Sequence, residues 1–159
     1  MEAKFTHDMS KLDKFVKGIN QGDKYIVKLG ILGDKSARDD TSSTDNAAVG
    51  AAMELGVRSE HIPARSFLRM PLFQKTDLIL QTAGQGAEAL LAAGNIKQIL
   101  HNLGAACEMV VAMAFESSGF GTWRKLKPAT IMRKIQHNPK PLINTTQLED
   151  SITHVVEEI

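Results

Sequence analysis

Asn95-Ile-Lys-Gln-Ile-Leu-His-Asn-Leu-Gly-Ala-Ala-Cys-Glu-Met-Val-Val-Ala-Met-Ala-Phe-Glu-Ser117 is the stretch on which the fold turns. Ile96, Ile99, Leu100 and Leu103 are echoed eleven residues later by Cys107, Val110, Val111 and Ala114, which keeps one apolar stripe in register along a nearly straight helix. Asn95 predicts the N-terminal cap, with Gln98 placed to reach back as in a capping box, and Gly94 marks the stop of whatever precedes it. A supercoiled partner helix would use the same stripe. Two echoes fall short of the repeats a coiled coil requires, so the expectation is a central helix lying across a sheet.

Working outward, the segment from Pro71 to Ala93 carries Leu72, Phe73, Leu78, Ile79, Ala83, Leu90 and Leu91 at helical spacing, with Gly84 and Gly86 weakening its middle. It predicts a kinked or broken helix beside the central one. Tyr25–Leu32 reads as a strand ended by Gly33, and Ser151–Val156 as a final strand. Asp45 caps a short alanine-rich helix through Leu55, stopped by Gly56. Pro63 forces Ile62 into an extended conformation, so Ile62–Arg69 should lead into the next helix. Pro128 opens a short helix through Ile131 and Ile135. A helix over residues 8–20 follows from Met9, Leu12, Phe15, Val16 and Ile19, and residues 34–45 are too polar to bury, which predicts a mobile loop. The fold class expected is α+β: a small antiparallel sheet packed against a long helix pair, in one domain spanning residues 1–159.

The 159 residues suffice for one core, and the formal charge of +1, from 19 basic against 18 acidic residues, gives no global reason to favour nucleic acid or an anionic membrane. Charge is instead segregated. Between Ser117 and Leu148 there are six lysines and arginines and no carboxylate, whereas four acids and no lysine or arginine follow from Glu149, so the two stretches could complement each other within a chain or between neighbours. Cys107 among apolar neighbours reads as a core thiol of a reducing compartment. No signal peptide is expected at the start, and no run is expected to be long enough to span a bilayer.

The five histidines form no metal pattern, and the glycine pairs lack the continuation of a phosphate loop, so no catalytic residue, metal or cofactor is expected. Glu54, Glu60, Glu88, Glu108 and Glu116 read as solvated charges by default. Trp123-Arg-Lys-Leu-Lys127 could combine stacking with phosphate contacts, as a small nucleic-acid-binding module would through Lys134. The commoner reading of such a tryptophan is an anchored core edge flanked by solvated lysines.

Several pieces in sequence carry a resemblance: Ala51-Ala-Met-Glu54-Leu-Gly56, then Ile62-Pro-Ala-Arg-Ser-Phe-Leu-Arg69, then Trp123, Leu126, Thr130 and Lys134, and finally Pro141-Leu-Ile143 with Thr145, Gln147 and Leu148. In this order, from about Asn46 onward, they resemble a family of tailed-bacteriophage morphogenesis proteins, described as tail-completion, neck or head-to-tail joining proteins. The chain departs from that pattern at Thr146, where the family has glycine, and at Asn144, where it has an acid. The resemblance implies a non-enzymatic virion protein, found in the neck or tail and in the host cytoplasm during assembly. It implies a homo-oligomeric ring, sixfold by analogy with the tail and twelvefold if matched to the portal. Its partners would be copies of itself, adjoining connector and tail-tube proteins, and DNA passing transiently through the lumen without base readout; no membrane is implied. Arg65, Phe67, Arg69, Trp123, Arg124, Lys125 and Lys127 are the candidate docking residues.

Overall fold

A computed structural model of the chain describes residues 24–38, 44–134 and 137–159. The helix expected over residues 8–20, part of the polar loop, and Ile135 lie outside the described residues.

The architecture is α+β. Strand β1 (Tyr25–Ile31) pairs antiparallel with β2 (Ile152–Glu158), in a register that sets Leu29 opposite His154 and Ile31 opposite Ile152. Between them run α1 (Asn46–Leu55), α2 (Arg69–Gln74), α3 (Thr76–Ala83), α4 (Ala87–Ala92), α5 (Ile96–Glu116), α6 (Pro128–Arg133) and α7 (Gln147–Asp150). The sheet lies against α5, which also packs on α2, α3 and α4. The expected pairing of a sheet with a central helix holds, but the second long helix is three short ones.

The reasons for the breaks are local. Lys75 has φ −113° and ψ 24°, outside helical values, and ends α2 before α3 begins. Gly86, at φ +73°, separates α3 from α4, as the sequence suggested. After α4, Gly94 at φ +71° donates to Leu91 O at 2.9 Å while Asn95 N–H donates to Leu90 O at 2.8 Å, the paired bonds of a Schellman stop. Asn95 then caps α5, accepting from Gln98 N–H at 3.3 Å. The return half of the capping box is not made, because Gln98 Nε2 donates to Asn102 Oδ1 at 3.0 Å instead. Asp45 accepts from Ala48 N–H at 2.7 Å at the start of α1.

The apolar stripe of α5 divides between two clusters. Val111, Ala114 and Phe115 pack with Phe67, Trp123 and Leu148, while Ala106 and Val110 pack with Ile79 and Ala83 of α3. Half-buried Cys107 borders the second cluster, and burial followed by the Glu108 charge pushes its thiol pKa up, so it stays protonated near neutrality. Phe73, expected inside, is 78% exposed. Contrary to the sequence expectation, α5 is long and apolar enough by length and composition to cross a bilayer. It uses its buried face against the sheet and α3, as the core helix of a folded domain does.

The end of α5 departs from ordinary geometry. Ser118, Gly119, Phe120 and Gly121 all have positive φ, and Trp123 N–H donates to Ser118 O at 3.1 Å. This left-handed turn folds Trp123 back so that its indole lies over Gly119, where an added Cβ would sit 2.3 Å from the ring nitrogen. Thr146 keeps the positive φ, +58°, that a glycine would supply, so the turn whose geometry a threonine puts in question is present. Its hydroxyl donates to Asp150 Oδ2 at 2.7 Å.

Candidate docking cleft

Glu54, near the end of α1, organises the region. Gly56 at φ +75° turns the chain so sharply that a Cβ there would meet Ala64 N at 2.7 Å, and the Val57–Ile62 bridge closes the loop. The returning segment is pinned by Arg65 N–H donating to Met53 O at 2.7 Å. It then presents the amides of Phe67, Leu68 and Arg69 to the Glu54 carboxylate at 2.7, 3.0 and 3.2 Å, with the Ser66 hydroxyl donating at 2.5 Å. These amides lead into the first turn of α2, where a helix leaves its donors without partners. A carboxylate from another helix adds to the local Ser66 hydroxyl, which accepts from Met70 N–H at 3.0 Å, and also favours that end of the helix dipole. Glu54 is therefore a structural acceptor and not a solvated charge.

Trp123 closes the same knot from the far side. Its indole N–H donates to Ser66 O at 3.1 Å, and its ring meets Phe115 edge-on at 5.8 Å, while Phe115 also packs on Phe67 at 5.3 Å. Arg65 donates from Nε and Nη2 to Arg124 O at 3.3 and 3.1 Å. Arg65, Phe67 and Trp123 are thus 8%, 1% and 7% exposed, inside the fold. Of the seven candidate docking residues, Arg69, Arg124, Lys125 and Lys127 are exposed. The Ile62–Phe67 lead-in, which carries two of the candidate docking residues, is likewise held by α1 and Trp123.

Beside the knot opens a cleft of about 910 Å³. Val49, Met53, Ile62, Leu126, Leu142 and Leu148 give it an aliphatic lining, and Arg38, Arg65, Arg124, Lys125, Lys127 and Lys134 give it positive charge. Thr130, Asn144 and Thr145 add polar groups, and among the described lining residues His61 is the one histidine and there is no carboxylate. The cations depress one another. Burial, then the Arg124 charge, lowers the pKa of Arg65; burial, then Arg65, lowers that of Lys134, whose Nζ donates to Lys140 O at 2.6 Å.

The acidic C-terminal stretch does not neutralise this charge within the chain as described. Glu157 pairs with Lys28 across the sheet, and among the described residues Arg124, Lys125 and Lys127 form no ion pair.

One polar cluster between α5 and β2 escapes sequence reading. His154 Nδ1 lies 2.9 Å from Glu108 Oε1 and its Nε2 lies 3.3 Å from His101 Nδ1, a chain of three groups on α5 and β2. It fits only because residue 104 is glycine: an added Cβ would come within 2.1 Å of the His154 ring. The partners stand 46 and 53 residues apart, so no local spacing reveals them. Among the described residues no group of three histidines, cysteines or acids is placed to hold a metal ion. No protein-family model matches the chain, and no curated protein or solved structure is significantly similar to it.

Proposed function

We propose that this chain is a structural, non-enzymatic virion protein that forms a homo-oligomeric ring at the head–tail junction of a tailed bacteriophage, as a neck, tail-completion or tail-terminator component. It would join capsid to tail and let DNA pass. The observation that carries this reading is the convergence of separate stretches of the resemblance. Glu54 and Gly56, the Ile62–Arg69 segment, and Trp123 meet in one hydrogen-bonded knot, so their order in the chain corresponds to a single structural unit.

Surface chemistry adds support. A ring needs two different patches that dock on each other. Phe73 and Leu80, 78% and 59% exposed, lie on α2 and α3 with Met70, and the basic cleft lies beside α1. Exposed apolar groups of this size suit an interface with another protein more than contact with water.

A nucleic-acid-binding module is the second reading, favoured by the uncompensated Arg124, Lys125 and Lys127. With Trp123 buried and bonded to Ser66, that module would rely on charge alone, and its binding would fall steeply with salt. Electron microscopy of phage particles labelled with antibodies against the chain tests the main proposal. Label at the neck or the head-proximal end of the tail is expected, and label confined to any other part of the particle would overturn it.

A further inference from the structure

The cleft combines two features that a purely structural groove does not need: an aliphatic floor and a set of cations of which Arg124, Lys125 and Lys127 form no ion pair among the described residues. Each feature restricts what fits. Nucleic acid without sequence preference is held by phosphate contacts together with aromatic platforms on which bases stack, and the floor here is Val49, Met53, Ile62, Leu126, Leu142 and Leu148. A small inorganic anion would satisfy the cations and leave the floor wet. The volume, about 910 Å³, falls at the upper end of the roughly 300–1,000 Å³ usual for ligand sites, which leaves room for several side chains.

The acids of the C-terminal stretch are not the natural occupant. Glu157 and Glu158 belong to β2, paired with β1, and Glu149 and Asp150 are built into α7.

We propose that the cleft is a docking site for an extended acidic peptide segment bearing aliphatic side chains, supplied by another protein. Its carboxylates would bind Arg124, Lys125, Lys127 and Lys134, with Arg65 below, and its aliphatic groups would cover Met53, Leu126 and Leu142. The cations facing one another in the cleft repel, and a carboxylate bound among them relieves that repulsion, so binding raises the stability of the fold. The proposal rests on the reading of the chain as an assembly protein, and it names the chemistry of one partner.

The test uses the full chain and a fluorescent peptide alternating glutamate with leucine. At low salt the peptide binds. It binds at least about tenfold more tightly than an equally charged glutamate–serine peptide, a difference of roughly 1.4 kcal/mol. The double variant Lys125→Glu/Lys127→Glu loses about tenfold or more while keeping the wild-type melting temperature, and Met53→Ser weakens the leucine peptide more than the serine one. No binding by the wild-type chain, equal binding of the two peptides, or unchanged binding by the double variant would overturn the proposal. So would an equally charged single-stranded oligonucleotide that outcompetes the leucine peptide. Oligomeric mass measured on the same samples separates this result from the ring: peptide binding by a chain that never assembles would retain the cleft and discard the ring.

Discussion

The knot around Glu54 and the cleft beside it share Arg65 and Met53, yet they are opposites. In the knot, donors meet acceptors: one carboxylate receives three backbone amides and a hydroxyl, and the indole N–H of Trp123 finds Ser66 O. In the cleft, six cations gather over aliphatic groups with no carboxylate among the described lining residues. Where polar groups are satisfied internally, substitution should be read in stability. Where exposed cations form no ion pair, as at Arg124, Lys125 and Lys127, it should be read in binding.

The largest effect expected from this contrast is at Glu54. Replacing it with alanine leaves the Phe67, Leu68 and Arg69 amides without their acceptor and should destabilise the fold by about 3 kcal/mol. Urea unfolding checks this through a lower midpoint at unchanged slope. A loss below about 1 kcal/mol would mean that water satisfies these amides as well, and the contrast with the cleft would collapse.

Next in size is Gly104→Ala, where the new methyl collides with the His154 ring. A loss of about 2 kcal/mol is expected, and His154→Ala in the same chain should recover much of it, because the two sites are in contact and their effects do not add.

Thr146→Gly should go the other way, stabilising by about 0.5–1 kcal/mol: it relieves a β-branched residue at φ +58°, less the exposed hydroxyl bond to Asp150. The smallest effect belongs to the cleft rim. Lys125→Glu and Lys127→Glu should each change stability by no more than about 0.5 kcal/mol.

The same contrast explains what the sequence could disclose. Asp45, Gly56, Gly94 and Asn95 act within a few residues of themselves, so their caps and stops are legible from local chemistry. The two strands announce themselves by branched residues, although nothing local states that Tyr25 pairs with Glu158. The break at Lys75 is not legible, since lysine is a good helix former and no breaker flanks it. Nor is the left-handed turn at residues 118–121, where Ser118 and Phe120 adopt a conformation usually left to glycine. Phe73 sits at a helical spacing that favours burial, and the extra break turns it to solvent.

At the candidate site the division is sharper. The basic segment from Arg124 to Lys134 and the Ile62–Arg69 stretch can be picked out of the sequence, but not which of their side chains face inward. Arg65 and Trp123 face inward because acceptors more than 50 residues away in the chain, Arg124 O and Ser66 O, are waiting for them. The role of Glu54 depends on amides 13 to 15 residues later that reach it only after the turn at Gly56.

The claim that this chain works by assembling through surfaces it leaves unsatisfied is tested most directly by the native mass of the full chain over a range of concentrations. One discrete closed assembly, sixfold or twelvefold, is expected, and Phe73→Glu with Leu80→Glu should reduce it to single chains that melt as the wild type does. A single-chain mass for the wild type at every concentration, or an assembly indifferent to those two substitutions and to the cleft lysines, would contradict the account.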